Sequence, residues 1–149
     1  MPLDPQCIFC QIVSGEAEAS RVYRDPLVTA FMDRYPVTRG HLLVVPNAHF
    51  PSLASLDAQY GAQMMAAARR AAAALRESDL EVEGVNLHLA DGHAAGQSVF
   101  HCHLHVIPRY SGDGFGLRRP FGRDRTTRSE LEAVAEKLRP ALAASLTWS

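Results

Sequence analysis

The chain has 149 residues, 47% of them hydrophobic and 21% charged, an ordinary globular composition that excludes a disordered or low-complexity polypeptide. Fifteen Lys and Arg face sixteen Asp and Glu, and the formal net charge of −1 excludes a broadly basic nucleic-acid-binding surface. No apolar run approaches the roughly 18 residues of a membrane span, because Arg69 and Arg70 break the Ala-rich stretch; the expectation is a single domain with neither nucleic-acid nor membrane partners.

Taken in chain order, Cys7 to Gly15 predicts one or two helical turns stopped by Gly15. Val22-Tyr23 and Val28 to Met32 read as strands separated by the turn signal Asp25-Pro26, and His41 to Val45 as a third strand entered through Gly40 and stopped by Pro46. Ser55 is placed to cap a helix that runs to about Glu77, with Asp57 favourable in its first turn. Leu56, Tyr60, Met64, Ala67, Ala71 and Leu75 recur at the three-to-four spacing of one apolar face. Val85 to Leu89 predicts a fourth strand, Asp91 to Gly96 a loop, and Val99 to Ile107 a fifth strand closed by Pro108. The Gly-rich stretch Ser111 to Gly116 predicts no regular structure. Thr127 and Glu130 form a capping box for a last helix expected to stop before Pro140. Five short strands not interleaved one-to-one with helices predict an α+β fold with an antiparallel sheet, residues 110–149 forming a C-terminal loop and helix extension.

Met1 to Gln6 carries Asp4 and no basic residue, which does not read as a secretory signal, and a cytoplasmic location is expected. Three cysteines is an odd number. The pair Cys7 and Cys10, two residues apart, reads as metal-binding or redox before it reads as a disulfide in a reducing compartment.

The segment His101-Cys102-His103-Leu104-His105 carries the chemistry. Side chains of a strand alternate between faces, so the three histidines share one face, about 6–7 Å apart, and Cys102 and Leu104 point to the other. A file of three imidazoles is a poor core, because each needs hydrogen-bond partners when buried. Two chemistries compete for it: a catalytic zinc held by three nitrogens with an open position, or one histidine as nucleophile with its neighbours orienting it.

His101-Cys102-His103-Leu104-His105-Val106-Ile107 resembles the signature of the histidine triad (HIT) superfamily. So do Cys7 to Ile12, Phe31-Met32-Asp33, Gly40 to Pro46 and Ala95 to Val99, in the family's order and spacing, over roughly Cys7 to Arg109. The resemblance implies a five-stranded antiparallel sheet, continued across a homodimer, and an enzyme that cleaves at the α-phosphate of adenosine-type nucleotides, phosphoramidates or dinucleoside polyphosphates. On that likeness His103 attacks phosphorus to give a nucleotidyl-histidine, His105 contacts phosphate oxygens, and His41 completes the hydrogen-bonded group behind the nucleophile. Gln97 and Ser98 fall where the family contacts phosphate or leaving group, Asp33 where it binds ribose, and Ile8, Phe9, Ile12 and Phe31 where it holds a purine base. Cys7, Cys10, His49 and His101 resemble the structural zinc site of a bacterial subgroup. His88 and His93 fall outside the family's functional positions and read as surface or loop residues.

The chain also departs from the pattern. Ala90 stands where many relatives carry Asn or Gln, Cys102 replaces an aliphatic residue, and Glu16-Ala17-Glu18 replaces an apolar edge of the base pocket. Ala90 keeps a second class open, a nucleotide-binding regulatory module with little turnover. Arg34 and Arg109 read as solvated surface residues before phosphate contacts.

Overall fold

The computed structural model of the chain describes residues 2–116 and 126–145. Residues 1–115 and 116–149 are two compact units. The first holds helix α1 (Ile8–Ser14), strands β1 (Arg21–Arg24), β2 (Val28–Met32) and β3 (Leu42–Pro46), helix α2 (Ala58–Glu77), strand β4 (Gly84–His88), a single 3₁₀ turn (His93–Ala95) and strand β5 (Leu104–Arg109); the second holds helix α3 (Arg128–Ser145). All strand pairs are antiparallel, in the order β1-β2-β3-β5-β4. Among the described residues no helix is long and apolar enough to cross a membrane.

The unbroken apolar run of β3 has a direct cause: both faces of the central strands are covered, and all five residues of β3 are buried. On one face α2 lays Met64, Ala67, Ala68 and Leu75 against Val28, Ala30, Leu42, Val44, Leu104 and Val106; its alanines let the helix approach the sheet closely. On the other face α1 packs Phe9, Ile12 and Val13 against Phe31, Leu43 and Val45. Helix α1 closes at Gly15, whose left-handed φ of 91° places its N–H on the Gln11 and Ile12 carbonyls. The guanidinium groups of Arg21 and Arg24 reach back from β1 to the carbonyls of Ile12 and Val13, which the helix end leaves open. Gly40, at φ 95°, sits where a Cβ would meet Leu75, Leu80 and Pro108, each at 3.2 Å.

The expected boundaries of four elements move. Helix α2 is capped by Asp57, whose carboxylate accepts the Gln59 N–H at 3.1 Å, because Ser55 spends its hydroxyl on Ser52 in the preceding turn. Strand β4 begins at Gly84 and ends at His88. Regular β5 begins at Leu104 instead of Val99, because its pairing with β3 reaches only to Val44 and the Cys102 N–H goes to the Phe50 carbonyl outside the ladder. It also runs through Pro108. The Pro108 carbonyl accepts from Thr38 Oγ1 at 2.6 Å on the β3 side, the side its nitrogen also faces, and the β3 ladder has ended there at Val106, so no ladder bond is lost. Helix α3 continues through Pro140; good helix formers follow (Ala141 to Ala144), so the missing bond perturbs the helix without ending it. The Thr127–Glu130 capping box forms as expected, with Glu130 N–H on Thr127 Oγ1 and Thr127 N–H on the Glu130 carboxylate.

Candidate active site and metal centre

The three histidines keep the expected alternation although only His105 lies in regular strand. Cys102, Leu104 and Val106 join the α2 core. The rings of His101 and His103 meet the edge of Phe9 from α1, at centroid distances of 5.9 and 5.1 Å. The triad therefore stands on the α1 face, between the helix and the sheet.

The rings turn to three different partners. His101 Nε2 donates to the Pro46 carbonyl at 2.9 Å, which leaves Nδ1 as a lone pair. That Nδ1 is 3.4 Å from Cys10 Sγ and 3.6 Å from Cys7 Sγ, and Cys10 Sγ is 3.2 Å from His49 Nδ1. His103 Nδ1 donates to the His101 carbonyl at 2.7 Å. Its Nε2, with no hydrogen-bond partner among the described residues, is then an available lone pair. His105 Nδ1 faces His41 Nε2 at 2.9 Å. Since the Val37 N–H occupies His41 Nδ1 at 3.0 Å, the His41 proton sits on Nε2 and is donated to His105. The His105 proton is left on Nε2.

Burial keeps these rings neutral. It pushes His101 and His105 down to about 4, in His105 with the help of His103, His41 and His88, and it lowers His41 and His103. For His103 the bond to the His101 carbonyl and the nearby Asp33 carboxylate pull the other way. A neutral imidazole with one nitrogen tied as donor is a nucleophile near pH 7.

Of the remaining expected residues, Asp33 follows β2 directly. Its Oδ2 lies 3.4 Å from His41 Nε2 and 4.0 Å from His105 Nδ1, and Oδ1 accepts the Tyr35 N–H at 2.8 Å. Phe9 and Phe31 meet edge to face at 5.5 Å; Ile12 joins their buried cluster, and Ile8, one residue before Phe9, is exposed. Gln97 is buried, with its amide committed to the loop. Its oxygen accepts the Gly92 N–H at 2.8 Å, and its nitrogen donates to the Pro51 and Val99 carbonyls at 2.8 and 3.0 Å. Ser98 is exposed beside it. Gly96 takes φ 89° with open space where a Cβ would stand, so the turn itself calls for glycine. Ala90 is buried, and the neighbouring Asp91 carboxylate is committed to the Leu53 N–H at 2.9 Å. Arg109 is held by both oxygens of Asp113, at 2.7 and 2.8 Å, and by Asn86.

Two groups of side chains have ligand atoms that all lie within 4.8 Å of one another: Cys7, Cys10, His49 and His101, and Asp33, His41 and His105. A tetrahedral ion with bonds of about 2.3 Å to sulfur and 2.0–2.1 Å to nitrogen needs donor atoms roughly 3.3–3.8 Å apart. The distances from His101 Nδ1 to the two sulfurs, 3.4 and 3.6 Å, fall in that range and the 3.2 Å from Cys10 Sγ to His49 Nδ1 lies just below it, and Pro46 orients the His101 nitrogen toward the sulfurs. Burial pushes the Cys10 thiol up to about 11, which an ion would reverse. The second group is closed by its own His41–His105 hydrogen bond.

A family model described as HIT domain matches residues 14–112. The chain belongs to the HIT family. It is 38% identical over 140 residues to the protein hit of Bacillus subtilis, which covers 93% of this chain and 96% of that one. Among solved HIT structures, a Zn-bound histidine triad family protein from Mycobacterium smegmatis superposes with a TM-score of 0.72 at 42% identity, over 91% of this chain and 97% of that one. A histidine triad nucleotide-binding protein from Candida albicans superposes with a TM-score of 0.83 at 28% identity, over 94% and 99%. The expected five-stranded antiparallel sheet is the sheet of this HIT protein.

Sequence reasoning missed three features of the site: the His101 carbonyl and the Val37 N–H, which fix the protons on His103 and His41, and His88. The two backbone groups leave no mark in residue identity. His88 is exposed, as the sequence suggests, but its ring centroid lies 5.6 Å from that of His105; the register of β4 against β5 was the missing information for that nearness.

Proposed function

We propose that this HIT protein is a nucleotidyl hydrolase or transferase that cleaves at the α-phosphate of adenosine-type nucleotides through a nucleotidyl-histidine at His103. One observation carries the reading: the 2.7 Å bond from His103 Nδ1 to the His101 carbonyl, which holds Nε2 as an uncommitted lone pair. That lone pair forms a bond to the α-phosphorus, and the bond to the leaving group breaks with its electron pair leaving on that group, an amine taking up a proton from solvent as it departs. Water then attacks the phosphorus, returns the imidazole and releases the nucleoside monophosphate. His105 donates its outer Nε2–H to a phosphate oxygen, and His41 holds the proton arrangement that makes it a donor. Asp33 accepts from the ribose hydroxyls, Phe9 and Phe31, edged by Ile8, hold the base, and Gln97 and Ser98 place the loop at the phosphate. The Candida albicans relative, a nucleotide-binding protein by its description, supports a purine nucleotide as ligand.

Zinc is proposed as a structural ion on Cys7, Cys10, His49 and His101, in line with the Zn-bound Mycobacterium smegmatis relative. With two thiolates and two imidazoles the set is closed, so the ion supplies a cross-link between α1, the end of β3 and the segment before β5, not a site for substrate. A cytoplasmic homodimer with the sheet continued between subunits completes the proposal.

The second reading, a binding module with little turnover, is favoured by Ala90, since the committed Asp91 carboxylate does not replace an amide there. Steady-state release of AMP from adenosine phosphoramidate and diadenosine polyphosphates, with mass detection of an AMP adduct, separates the two. Wild type turns over and labels on His103, and His103→Ala loses on the order of a thousandfold or more. Equal AMP binding by both proteins with no turnover by either refutes the enzyme reading.

A further inference from the structure

The ladder between β2 and β3 ends at the Val28–Pro46 pair, so from Asn47 onward its pairing no longer directs the chain. The segment from Pro46 to His49 nevertheless sets much of the metal-type cluster. The Pro46 carbonyl orients the His101 ring at 2.9 Å, and His49 brings its Nδ1 to 3.2 Å from Cys10 Sγ. Ala48 and Phe50 hold the segment to the α2 core, but apolar attraction has no direction, whereas a metal site tolerates only about 0.2 Å in each bond.

Asn47 supplies the direction with three hydrogen bonds. Its N–H donates to the Leu27 carbonyl at 2.7 Å, its Nδ2 donates to the Asp25 carbonyl at 2.7 Å, and its Oδ1 accepts from the Thr29 hydroxyl at 2.6 Å. A backbone carbonyl only accepts, so the amide has one orientation, nitrogen toward Asp25 and oxygen toward Thr29. The β1–β2 turn that it grips is itself tied down. The Asp25 carboxylate accepts the N–H groups of Leu27 and Val28, both at 2.8 Å, the Tyr23 hydroxyl, and the Gln63 side chain of α2. Thr29 is fully buried, and without Asn47 its hydroxyl would lose this partner.

Resting on the proposed zinc site, we propose that Asn47 is a positioning residue for the metal centre: it clamps the segment from Pro46 to His49 onto the β1–β2 turn, and so sets both the His49 ligand and the carbonyl that aims His101.

The test titrates cobalt(II) and zinc into the metal-free chain, reading the absorption bands of the cobalt complex and the affinity by competition with a chromophoric chelator. Asn47→Ala is expected to weaken binding by about 10–100-fold, the usual scale for a residue behind a ligand, and to alter the cobalt bands. Thr29→Val, of similar shape without the hydroxyl, weakens binding in the same direction, and Thr29→Ser restores it. Gln63→Ala takes a bond from the same turn without touching Asn47, and stays within about twofold of wild type. Unchanged affinity and bands in Asn47→Ala and Thr29→Val overturn the proposal. So does a loss in Gln63→Ala equal to that in Asn47→Ala, which marks the turn as merely structural. Should Asn47→Ala not fold, the Thr29 pair decides by itself. Wild type that binds no cobalt through sulfur overturns the zinc reading, and this proposal with it.

Discussion

Removal of the proposed zinc is expected to release α1 while the sheet stays folded. Helix α1 buries Phe9, Ile12 and Val13, worth about 7 kcal/mol in all at 1.5–3 kcal/mol each. The two arginine bonds to its last carbonyls add about 3 kcal/mol. Ordering seven helix residues costs about 10 kcal/mol at 1–2 kcal/mol of backbone entropy each. The balance lies near zero, so without an ion the docked helix is only marginally favoured, and the Cys7–Cys10–His49–His101 cluster decides whether it stays. The opposite face does not depend on it, since the α2 core contains no cluster residue. Amide hydrogen exchange read with and without a zinc chelator checks this: protection of residues 8–14 drops by two orders of magnitude or more, a difference of about 3 kcal/mol, and β2, β3 and β5 keep theirs. Cys10→Ser in zinc-containing buffer should give the same pattern. Unchanged α1 protection after verified loss of the metal refutes the reasoning, and so does collapse of the whole sheet.

Three further outcomes are expected. Burial holds His105 near 4 in the folded chain, below the ordinary histidine value near 6.5; between those values the unfolded state binds more protons, so stability is full above about pH 6.5 and falls by roughly 3 kcal/mol as the pH drops toward 4, and urea midpoints of His105→Gln should show a shallower decline. Gly40→Ala places a Cβ at 3.2 Å from Leu75, Leu80 and Pro108 in a left-handed backbone and should cost about 1–3 kcal/mol in urea unfolding; a loss under 0.5 kcal/mol would show that these side chains give way freely. Gln97→Ala leaves the Gly92 N–H and two carbonyls without their partner; it should raise KM for nucleotides several-fold through the loosened loop and lower stability by about 1–3 kcal/mol, and a variant with unchanged KM would remove Gln97 from the site.

The strands and α1 were legible because period-two alternation and turn residues act over a few residues. The apolar run Leu42 to Val45 and the punctuation at Asp25-Pro26 and Gly40 each state their conformation locally. The same locality misplaced the boundaries. Ser55 and Asp57 are equally good caps by residue type, and only the Ser52–Ser55 turn decides between them. Pro108 and Pro140 read as stops because a sequence does not show whether the missing N–H has anywhere to go. For the site, the triad alternation and the two-residue cysteine spacing name side chains that the fold brings together, and folding gathers Cys7, Cys10, His49 and His101 from positions up to 94 apart. What alternation does not encode is how each ring is turned. Cross-strand register and three backbone groups (the carbonyls of His101 and Pro46 and the N–H of Val37) decide that.

The metal-type cluster and the proposed nucleophile are joined through one residue. The His101 ring is fixed at both nitrogens, by the Pro46 carbonyl on one side and by the cysteine sulfurs on the other. Its own carbonyl is the acceptor that holds the proton on His103 Nδ1. A ring fixed at two points constrains the backbone that carries it, and so the direction of that carbonyl. The first histidine of the triad is therefore tied to the central one through the main chain. Phe9 adds a second constraint by packing its edge against both rings at once. On the proposed function, the cluster beside α1 thus also fixes which nitrogen of His103 is free, which would account for a metal site and a reactive histidine occupying the same short segment.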